Sequence, residues 1–154
     1  MGINFRLAVE EDCDELAEMR WAFRDEQGRA HEPRESFVAR CAATLKDRLA
    51  GNRWAYWIAV QDGRIVATAF VERIDRVPSP EDFATEAFGY VTNVYARPEA
   101  RNRGVGQELL RRLAAGARND GIGSLILWPS HRAVPFYERL GFSRRNQLMD
   151  RPLP

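Results

Sequence analysis

The residues best suited to chemistry lie in one segment, Arg101-Asn102-Arg103-Gly104-Val105-Gly106. It stands between a predicted strand and the first turn of a predicted helix. The first amide groups of a helix lack partners within the helix and lie at its positive dipole end, so they can bind phosphate oxygens. Glycine at positions 104 and 106 permits close backbone approach, and the two arginines add positive charge. This glycine segment therefore predicts a pyrophosphate site.

Two well-known phosphate loops do not fit the glycine segment. A P-loop ends in Gly-Lys-Ser or Gly-Lys-Thr, and a dinucleotide-binding loop needs a third glycine near position 109, where this chain has Leu109. A helix that begins with glycines only to turn a corner also satisfies the pattern. By itself, the segment fits either a phosphate-binding site or a chain turn that binds no ligand.

The amino-terminal half predicts a strand, two helices and a hairpin. Alternating apolar residues favour a strand from Ile3 to Leu7, and apolar residues spaced three and four apart favour helices from about 10 to 27 and from 33 to about 49. β-Branched and aromatic residues from 54 to 74 favour a hairpin with its turn at Asp62-Gly63. Both helices are amphipathic, so we expect them to cover a sheet.

The carboxy-terminal half places the glycine segment directly between a strand and a helix. Prolines make residues 76 to 86 a predicted surface loop. After it, the patterns predict a strand over 88–96, a helix over 104–119, a short buried strand over 124–128, a helix from 130 to about 140 and a terminal hairpin over 142–151. We find no internal repeat and no linker.

Composition places the chain among globular proteins. Of its 154 residues 45% are hydrophobic and 29% charged, and its net charge of +1 without a basic run argues against nucleic-acid binding. No apolar stretch approaches the roughly 20 residues that span a bilayer, and the first residues do not form a signal peptide, so we expect a cytoplasmic protein without a membrane partner. Cys13 and Cys41 lack the spacing of a zinc site, so no metal is expected. A homodimer stays open.

A second motif follows the glycine segment, Ala133-Val134-Pro135-Phe136-Tyr137-Glu138-Arg139-Leu140-Gly141-Phe142. Together the two motifs resemble the GNAT superfamily of acetyltransferases, whose central motif reads Arg or Gln, two residues, Gly, one residue and Gly, followed later by a Tyr-x-x-Leu-Gly-Phe-like segment. The match covers Gly89 to Phe142 closely, and the earlier elements agree only in their order. The resemblance implies an α/β (α+β) fold, a single GNAT-type domain over residues 1–154 with a mixed central sheet of about six to seven strands, about four helices and splayed central strands. It also implies an acyl-CoA-dependent N-acetyltransferase that uses acetyl-CoA.

In this family, the strand before the glycine loop splays from its neighbour, and the pantetheine arm of the cofactor lies in the gap. Here that strand is Tyr90 to Ala96. The resemblance assigns cofactor contacts to Val94, Tyr95 and Ala96. It also implies that the N–H of Val94 polarises the thioester carbonyl as negative charge develops there.

The same resemblance assigns two residues after the glycine segment. Tyr137 matches the tyrosine that protonates the departing thiolate in many relatives, and packing beside Phe136 and Phe142 is the alternative. Ser130 stands near the place of an asparagine that touches the pantetheine in relatives. Capping of a helix explains Ser130 without any ligand.

The resemblance does not assign the base that deprotonates the amine. Some relatives hold a glutamate at the position of Tyr90, and a tyrosine at its usual pKa is a poor base near neutrality. Glu72 on the hairpin and Glu86 before the strand are substitutes, although either also fits a solvated surface carboxylate. Water held by Thr92 or Asn93 is equally allowed.

Relatives usually shape the acceptor pocket with their first two helices and the loop before the central strand. This chain offers Trp21, Phe23 and Trp57, together with Asn93 as a polar contact, and core packing is the alternative for each aromatic. No acidic cluster argues for a polycationic acceptor. A primary amine of a small molecule is therefore expected, with a protein amino group or a non-catalytic acyl-CoA sensor as alternatives.

Overall fold

A computed structural model describes residues 2–80, 87–144 and 148–153 of the chain. These ranges contain four α-helices, α1 Cys13–Glu26, α2 Arg34–Leu49, α3 Val105–Asn119 and α4 Val134–Arg139. They also contain five strands, β1 Asn4–Leu7, β2 Trp54–Gln61, β3 Arg64–Asp75, β4 Ala87–Ala96 and β5 Ser124–Ile126. Short 3-10 turns occupy Glu10–Asp12, Pro98–Ala100 and His131–Ala133.

The strands form one mixed sheet in the order β1-β2-β3-β4-β5. All neighbours are antiparallel except β4 and β5, which are parallel. The prediction of six to seven strands is thus corrected to five in the described ranges, and the hairpin expected over 142–151 has no strand in 142–144 or 148–151. Leu148 and Met149 are 62% and 93% exposed, so this apolar pattern is not buried against a neighbouring strand.

The hairpin predicted at Asp62-Gly63 is confirmed. The two residues have φ values of 51° and 76°, and Gln61 pairs directly with Arg64. A two-residue turn with positive φ at both positions matches the twist of the flanking strands, and glycine adopts that region without a steric penalty. The turn therefore sets the register of β2 and β3, and with it the face on which each side chain lies.

Helices cover both faces of the sheet. One buried cluster joins α1 and α2 to the sheet and includes Leu16, Met19, Leu45, Tyr56 and Ile58. A second joins α3 to the opposite face and includes Ala59, Ala69, Val91, Leu109 and Leu113. Neighbouring residues of β2 belong to different clusters because side chains alternate between the faces of a strand. Each fully buried leucine stabilises these layers by about 1.5–3 kcal/mol.

The predicted splay of the central strands is confirmed at the junction of β4 and β5. The two strands pair at only three positions, Phe88 with Ser124, Gly89 with Leu125 and Tyr90 with Ile126. β4 continues to Ala96, while β5 ends two residues earlier than the predicted strand. From Val91 onward, the edge of β4 that faced β5 has no strand neighbour in the described part of the chain.

Both cysteines are free thiols, Cys13 buried and Cys41 half-buried. Across residues 2–80, 87–144 and 148–153, no group of three or more His, Cys, Asp or Glu side chains is placed to hold a metal ion. The helices of the same ranges are all too short or too polar to cross a membrane.

Candidate active site

The glycine segment turns sharply into α3. Asn102 and Gly104 have φ values of 58° and 74°, the left-handed region that favours glycine, and Gly104 precedes the helix without a side-chain cap. The first backbone bond of the helix joins the N–H of Glu108 to the Gly104 carbonyl at 3.0 Å. The amide groups from Asn102 to Gln107 donate to no acceptor among the described residues. They are therefore available to phosphate oxygens.

The two arginines of the segment are engaged differently. The guanidinium of Arg101 donates to the Ala96 carbonyl at 2.9 Å and to Oε2 of Glu26 at 2.6 Å. A carboxylate thus already neutralises its charge, and its bonds tie the segment to β4 and α1. Arg103 is exposed, and within the described ranges its guanidinium makes two hydrogen bonds, both at 3.5 Å. Its guanidinium is the freer of the two to reach a phosphate.

Glu26, which the sequence patterns did not single out, joins the end of α1 to β4. Its Oε1 accepts a hydrogen bond from the Tyr95 hydroxyl at 2.6 Å. Desolvation opposes ionisation of this carboxyl, but the bonds from Tyr95 and Arg101 outweigh it and hold the pKa of Glu26 below its usual range. Burial, followed by the bond to Glu26, raises the pKa of Tyr95 to about 12. The Tyr95 side chain thus points to α1, so a cofactor contact at this residue falls to its backbone.

β4 carries a β-bulge at Asn93. Its φ is 52°, and the pairing of β3 with β4 shifts by one residue at this point. The hydroxyl of Thr68 donates to the Asn93 carbonyl at 2.9 Å and so satisfies a group that the bulge removes from the ladder. Bulges re-aim side chains beside active sites. Here the Asn93 side chain turns toward α1, where its Oδ1 accepts from Arg20 at 3.2 Å.

The amide groups of Val94 and Ala96 point to the open edge of β4. The N–H of Arg97 donates to the Val66 carbonyl of β3 at 2.9 Å, and the backbone groups of successive strand residues point to opposite sides. Those of Ala96 and Val94 therefore point away from β3. The bond from Arg101 to the Ala96 carbonyl agrees with this direction. Both amides thus face the side on which the resemblance expects the cofactor arm.

Tyr137 lies on α4, beside the start of α3. Its ring packs edge-on against Phe136 and Phe142 with centroid distances of 5.2 and 5.6 Å. Phe136 in turn lies 3.5 Å from where a Cβ on Gly106 would stand. Burial raises the pKa of Tyr137, so its hydroxyl stays protonated at neutral pH. The aromatic packing is therefore present, and the hydroxyl keeps its proton.

Ser130 and His131 lie at the start of the turn that leads into α4. Ser130 occupies the capping position, but its side chain makes no capping hydrogen bond. The capping interpretation is therefore wrong, and Ser130 stays a candidate for the cofactor arm. His131 is exposed.

Only one of the two candidate carboxylates lies in the described residues. Glu72 stands opposite Tyr90 in the β3–β4 ladder, and its Oε1 lies 3.4 Å from the guanidinium of Arg53. Tyr90 and Val94 are separated by about 13 Å of extended strand, so Glu72 needs water to exchange a proton with an amine at Val94. Glu86 falls outside the described residues.

The aromatic residues expected in the acceptor pocket fall on two faces of the sheet. Phe23 of α1 stacks on Tyr95 with centroids 5.1 Å apart, and Nε1 of Trp21 is buried without an acceptor in the described ranges. Trp57 lies on the α3 face, where its Cζ2 is 2.8 Å from where a Cβ on Gly116 would stand. The sheet separates Trp57 from Phe23. Trp57 is therefore no part of an acceptor site on the α1 face, because side chains alternate along β2.

Arg20 of α1 is the residue of this face that the sequence patterns missed. Its guanidinium donates to Oδ1 of Asn93 at 3.2 Å and lies 5.7 Å from the centroid of Phe23. It stands four residues after Leu16 and three before Phe23, so it interrupts the apolar stripe of the helix. A charged residue inside such a stripe is the signal that identifies it.

Comparison with known proteins agrees with this architecture. The model of the acetyltransferase (GNAT) family matches residues 13–142. The glucosamine 6-phosphate N-acetyltransferase of Trypanosoma brucei brucei is 35% identical over 63 residues, which are 41% of this chain and 43% of that protein. The glucosamine 6-phosphate N-acetyltransferase 1 of Oryza sativa subsp. japonica is 29% identical over 92 residues, 60% of this chain and 49% of that protein. The matches thus span less than half the length of either relative.

A solved structure matches nearly the whole chain. A predicted acetyltransferase from Clostridium acetobutylicum, solved with acetyl-CoA, has a TM-score of 0.83 at 28% identity and covers 98% of this chain and 96% of its own. The mixed sheet and four helices described above are shared with that fold. The chain therefore belongs to the acetyltransferase (GNAT) family, as its two motifs predicted, and acetyl-CoA is the cofactor of that family.

Proposed function

We propose that this GNAT acetyltransferase moves the acetyl group of acetyl-CoA to a primary amine of a small molecule by direct attack on the thioester. The observation that carries the proposal is the open edge of β4, where the amides of Val94 and Ala96 point away from β3. This edge leads to a helix whose first amides lack partners in the described residues. An extended edge followed by an anion cradle fits a cofactor that has an amide-containing arm and a diphosphate.

Backbone groups supply most of the cofactor site. The amides from Asn102 to Gln107 bind the diphosphate, and Arg103 adds positive charge. Arg101 acts indirectly, since its bonds to the Ala96 carbonyl and Glu26 hold the glycine segment against β4. Ser130 contacts the pantetheine arm from the far side of the gap.

The chain stabilises the charges that form during transfer. The thioester carbonyl of bound acetyl-CoA supplies the electrophile. The N–H of Val94 donates to the carbonyl oxygen as it gains negative charge, and an amide fixed in a strand needs little reorganisation to do so. Tyr137 donates its proton to the departing sulfur. Its raised pKa keeps that proton on the hydroxyl until the thiolate forms.

The amine loses its proton through water. Thr92 holds this water beside the bulge, and Glu72 receives the proton farther along the ladder. The distance of about 13 Å along β4 excludes direct contact between Glu72 and an amine at Val94. A relay of this kind replaces the glutamate base that some relatives have at the position of Tyr90.

Two observations support a small-molecule acceptor. Both relatives described above are named for acetylation of glucosamine 6-phosphate, a small molecule with an amine. In this chain, Tyr90 meets Trp128 edge-on with centroids 4.7 Å apart, and Trp128 is 56% exposed. This pair offers an apolar wall beside the splayed strands, against which a small ligand can pack.

An assay of thiol release from acetyl-CoA tests the proposal. The purified chain is incubated with acetyl-CoA and a panel of primary amines that includes glucosamine 6-phosphate, amino acids and short peptides. Acceptor-dependent thiol release, with the acetylated product identified by mass spectrometry, is expected for small amines. Release with peptides alone would move the acceptor to proteins. Calorimetric binding of acetyl-CoA without release for any amine would favour the non-catalytic sensor.

A further inference from the structure

The contact between α1 and β4 contains more hydrogen-bond donors than acceptors. The guanidinium of Arg20 has several N–H groups, and within the described residues only Oδ1 of Asn93 accepts from it, at 3.2 Å. Asn93 is 8% exposed, and its Nδ2 is buried without an acceptor in those residues. Buried donors are nearly always paired in native structures. An excess of donors at one point therefore indicates a ligand that brings acceptors.

The charge of Arg20 also lacks a carboxylate partner within residues 2–80, 87–144 and 148–153. The titratable side chains that face it are Arg24 of its own helix, Cys41 of α2 and Tyr90 of β4, with no carboxylate among the described residues. Burial, followed by repulsion from Arg24, lowers the pKa of Arg20, although a guanidinium stays charged at neutral pH. A half-buried cation without a counter-ion favours binding of an anion.

This donor site lies next to the proposed reacting centre. Asn93 directly precedes Val94, and the bulge directs its side chain to Arg20. The backbone of Asn93, whose side chain holds Arg20, therefore adjoins the N–H proposed to bind the thioester carbonyl. This adjacency favours a compact acceptor.

We propose that Arg20, held by Asn93, binds an oxyanion of the acceptor, so that the substrates of this enzyme are compact primary amines that carry a carboxylate or a phosphate. This inference rests on the proposed acetyl transfer to small amines and narrows its substrate class. The planar fork of arginine suits both oxyanions, because it donates two parallel hydrogen bonds.

Two matched pairs of amines test the substrate class. β-Alanine is compared with β-alaninamide, and O-phosphoethanolamine with ethanolamine, each as kcat/KM at saturating acetyl-CoA. The wild-type enzyme is expected to prefer the anionic member of at least one pair by about 10- to 100-fold, the effect of a charge-assisted hydrogen bond. The pair that shows the preference distinguishes carboxylate from phosphate. The absence of a preference in both pairs would overturn the proposal.

Variants then assign the preference to Arg20. Arg20→Gln should lower the ratio of anionic to neutral kcat/KM by about 10- to 100-fold, and Arg20→Lys should keep part of it, because lysine retains the charge without the fork. Differences in amine basicity cancel when the ratio is compared between variants. Arg118→Gln, at the exposed end of α3, is the matched control with the same charge change and should leave the ratio unaltered. An Arg20→Gln enzyme that binds acetyl-CoA normally and keeps the full preference would refute the assignment.

The same experiments separate this inference from the proposed function. If amines are acetylated but Arg20→Gln has no effect on the ratio, acetyl transfer stands and the inference fails. If no amine is acetylated, thermal denaturation in the presence of coenzyme A and each amine tests the site directly. A rise in Tm that the anionic amines cause in the wild type, but not in Arg20→Gln, keeps the inference. Equal shifts in both proteins, or no shift, reject it.

Discussion

Tyr137 combines the packing of its ring with the acid role that we propose for its hydroxyl. Its ring fills the space between Phe136 and Phe142, while burial keeps its hydroxyl protonated by raising its pKa. Phenylalanine would preserve the packing and remove the proton. A single substitution therefore separates the two roles.

Tyr137→Phe is expected to lower kcat about 100-fold or more, the usual contribution of a general acid, with little change in acetyl-CoA affinity. Steady-state kinetics and calorimetry measure the two quantities. Phe142→Leu is the control, since it disturbs the same packing and leaves the hydroxyl in place, so it should lower stability more than kcat. Unchanged turnover of Tyr137→Phe, with acetylation still rate-limiting, would rule out the acid role.

Gly104 is the residue at which backbone strain and charge can be separated. A Cβ at this position meets none of the described residues within 4 Å, but its φ of +74° strains any other residue by about 1–2 kcal/mol. Gly104→Ala and Gly104→Glu share that strain, and only the second places a carboxylate in the cradle. We expect Gly104→Glu to weaken acetyl-CoA binding at least about tenfold more than Gly104→Ala, which calorimetric titration measures. Equal affinities of the two folded variants would contradict a phosphate site.

At the scale of elements, β4 has two functions that depend on different edges. Toward β3 it pairs along most of its length, with one bulge at Asn93. Toward β5 it pairs only up to Tyr90 and is then free in the described structure. The first edge anchors the strand in the core, and the second leaves amides for a ligand. A rigid strand with one open edge positions those amides more firmly than a loop would.

The packing of α3 on the sheet depends on the contact between Gly116 and Trp57. Alanine at 116 gains about 1 kcal/mol of helix propensity, but its Cβ would lie 2.8 Å from Cζ2 of Trp57, and overpacking of this kind costs about 1–3 kcal/mol. Gly116→Ala should therefore lower the free energy of unfolding in the wild type. In a Trp57→Leu background, where the ring is absent, Gly116→Ala should raise the free energy of unfolding.

Denaturant titration of the two single variants and the double variant measures this coupling. The same effect of Gly116→Ala in both backgrounds would contradict the contact. Trp57→Leu also tests the placement of Trp57 on the α3 face. Its KM for the amine should equal that of the wild type, because the sheet separates position 57 from the proposed acceptor site.

At the scale of the whole molecule, two buried tyrosines limit stability at high pH. Burial raises the pKa of Tyr56 to about 12, and burial with the bond to Glu26 raises that of Tyr95 to about 12. In the unfolded chain a tyrosine loses its proton near pH 10. The unfolded state therefore ionises first as the pH rises. The stabilisation is fully present below about pH 10 and is lost toward pH 12.

The free energy of unfolding is thus expected to fall above about pH 10. Cys13 and Cys41, whose pKa values burial raises, act in the same direction from about pH 8.5, where an unfolded thiol ionises, so their loss precedes that of the tyrosines. Denaturant titrations between pH 8 and about pH 12 measure the loss. Tyr56→Phe should lose less stability over this range than the wild type, because it has one fewer group to ionise. An equal slope in both proteins would show that Tyr56 does not contribute.

The sequence by itself determined most of the elements and the two motifs, but not the number of strands or the expected terminal hairpin. Helix and strand periodicity placed α1, α2 and the β2–β3 hairpin close to their bounds, since a local pattern reports which side of an element faces the core. The turn at Asp62-Gly63 followed from the φ values that its residues allow. The glycine segment and the motif around Tyr137 identified the family, because each depends on neighbours in the chain.

The tertiary structure alone decided which distant side chains meet. Arg20 and Asn93 are 73 residues apart in the chain, and a bulge that reverses the alternation of β4 brings them together. Arg101 likewise pairs with Glu26, 75 residues away. This carboxylate neutralises the charge that the glycine segment was expected to offer to phosphate. The register of β2 places Trp57 on the α3 face of the sheet. Contacts between residues so far apart in the chain depend on strand register and on packing over the whole fold. A short window of sequence contains neither.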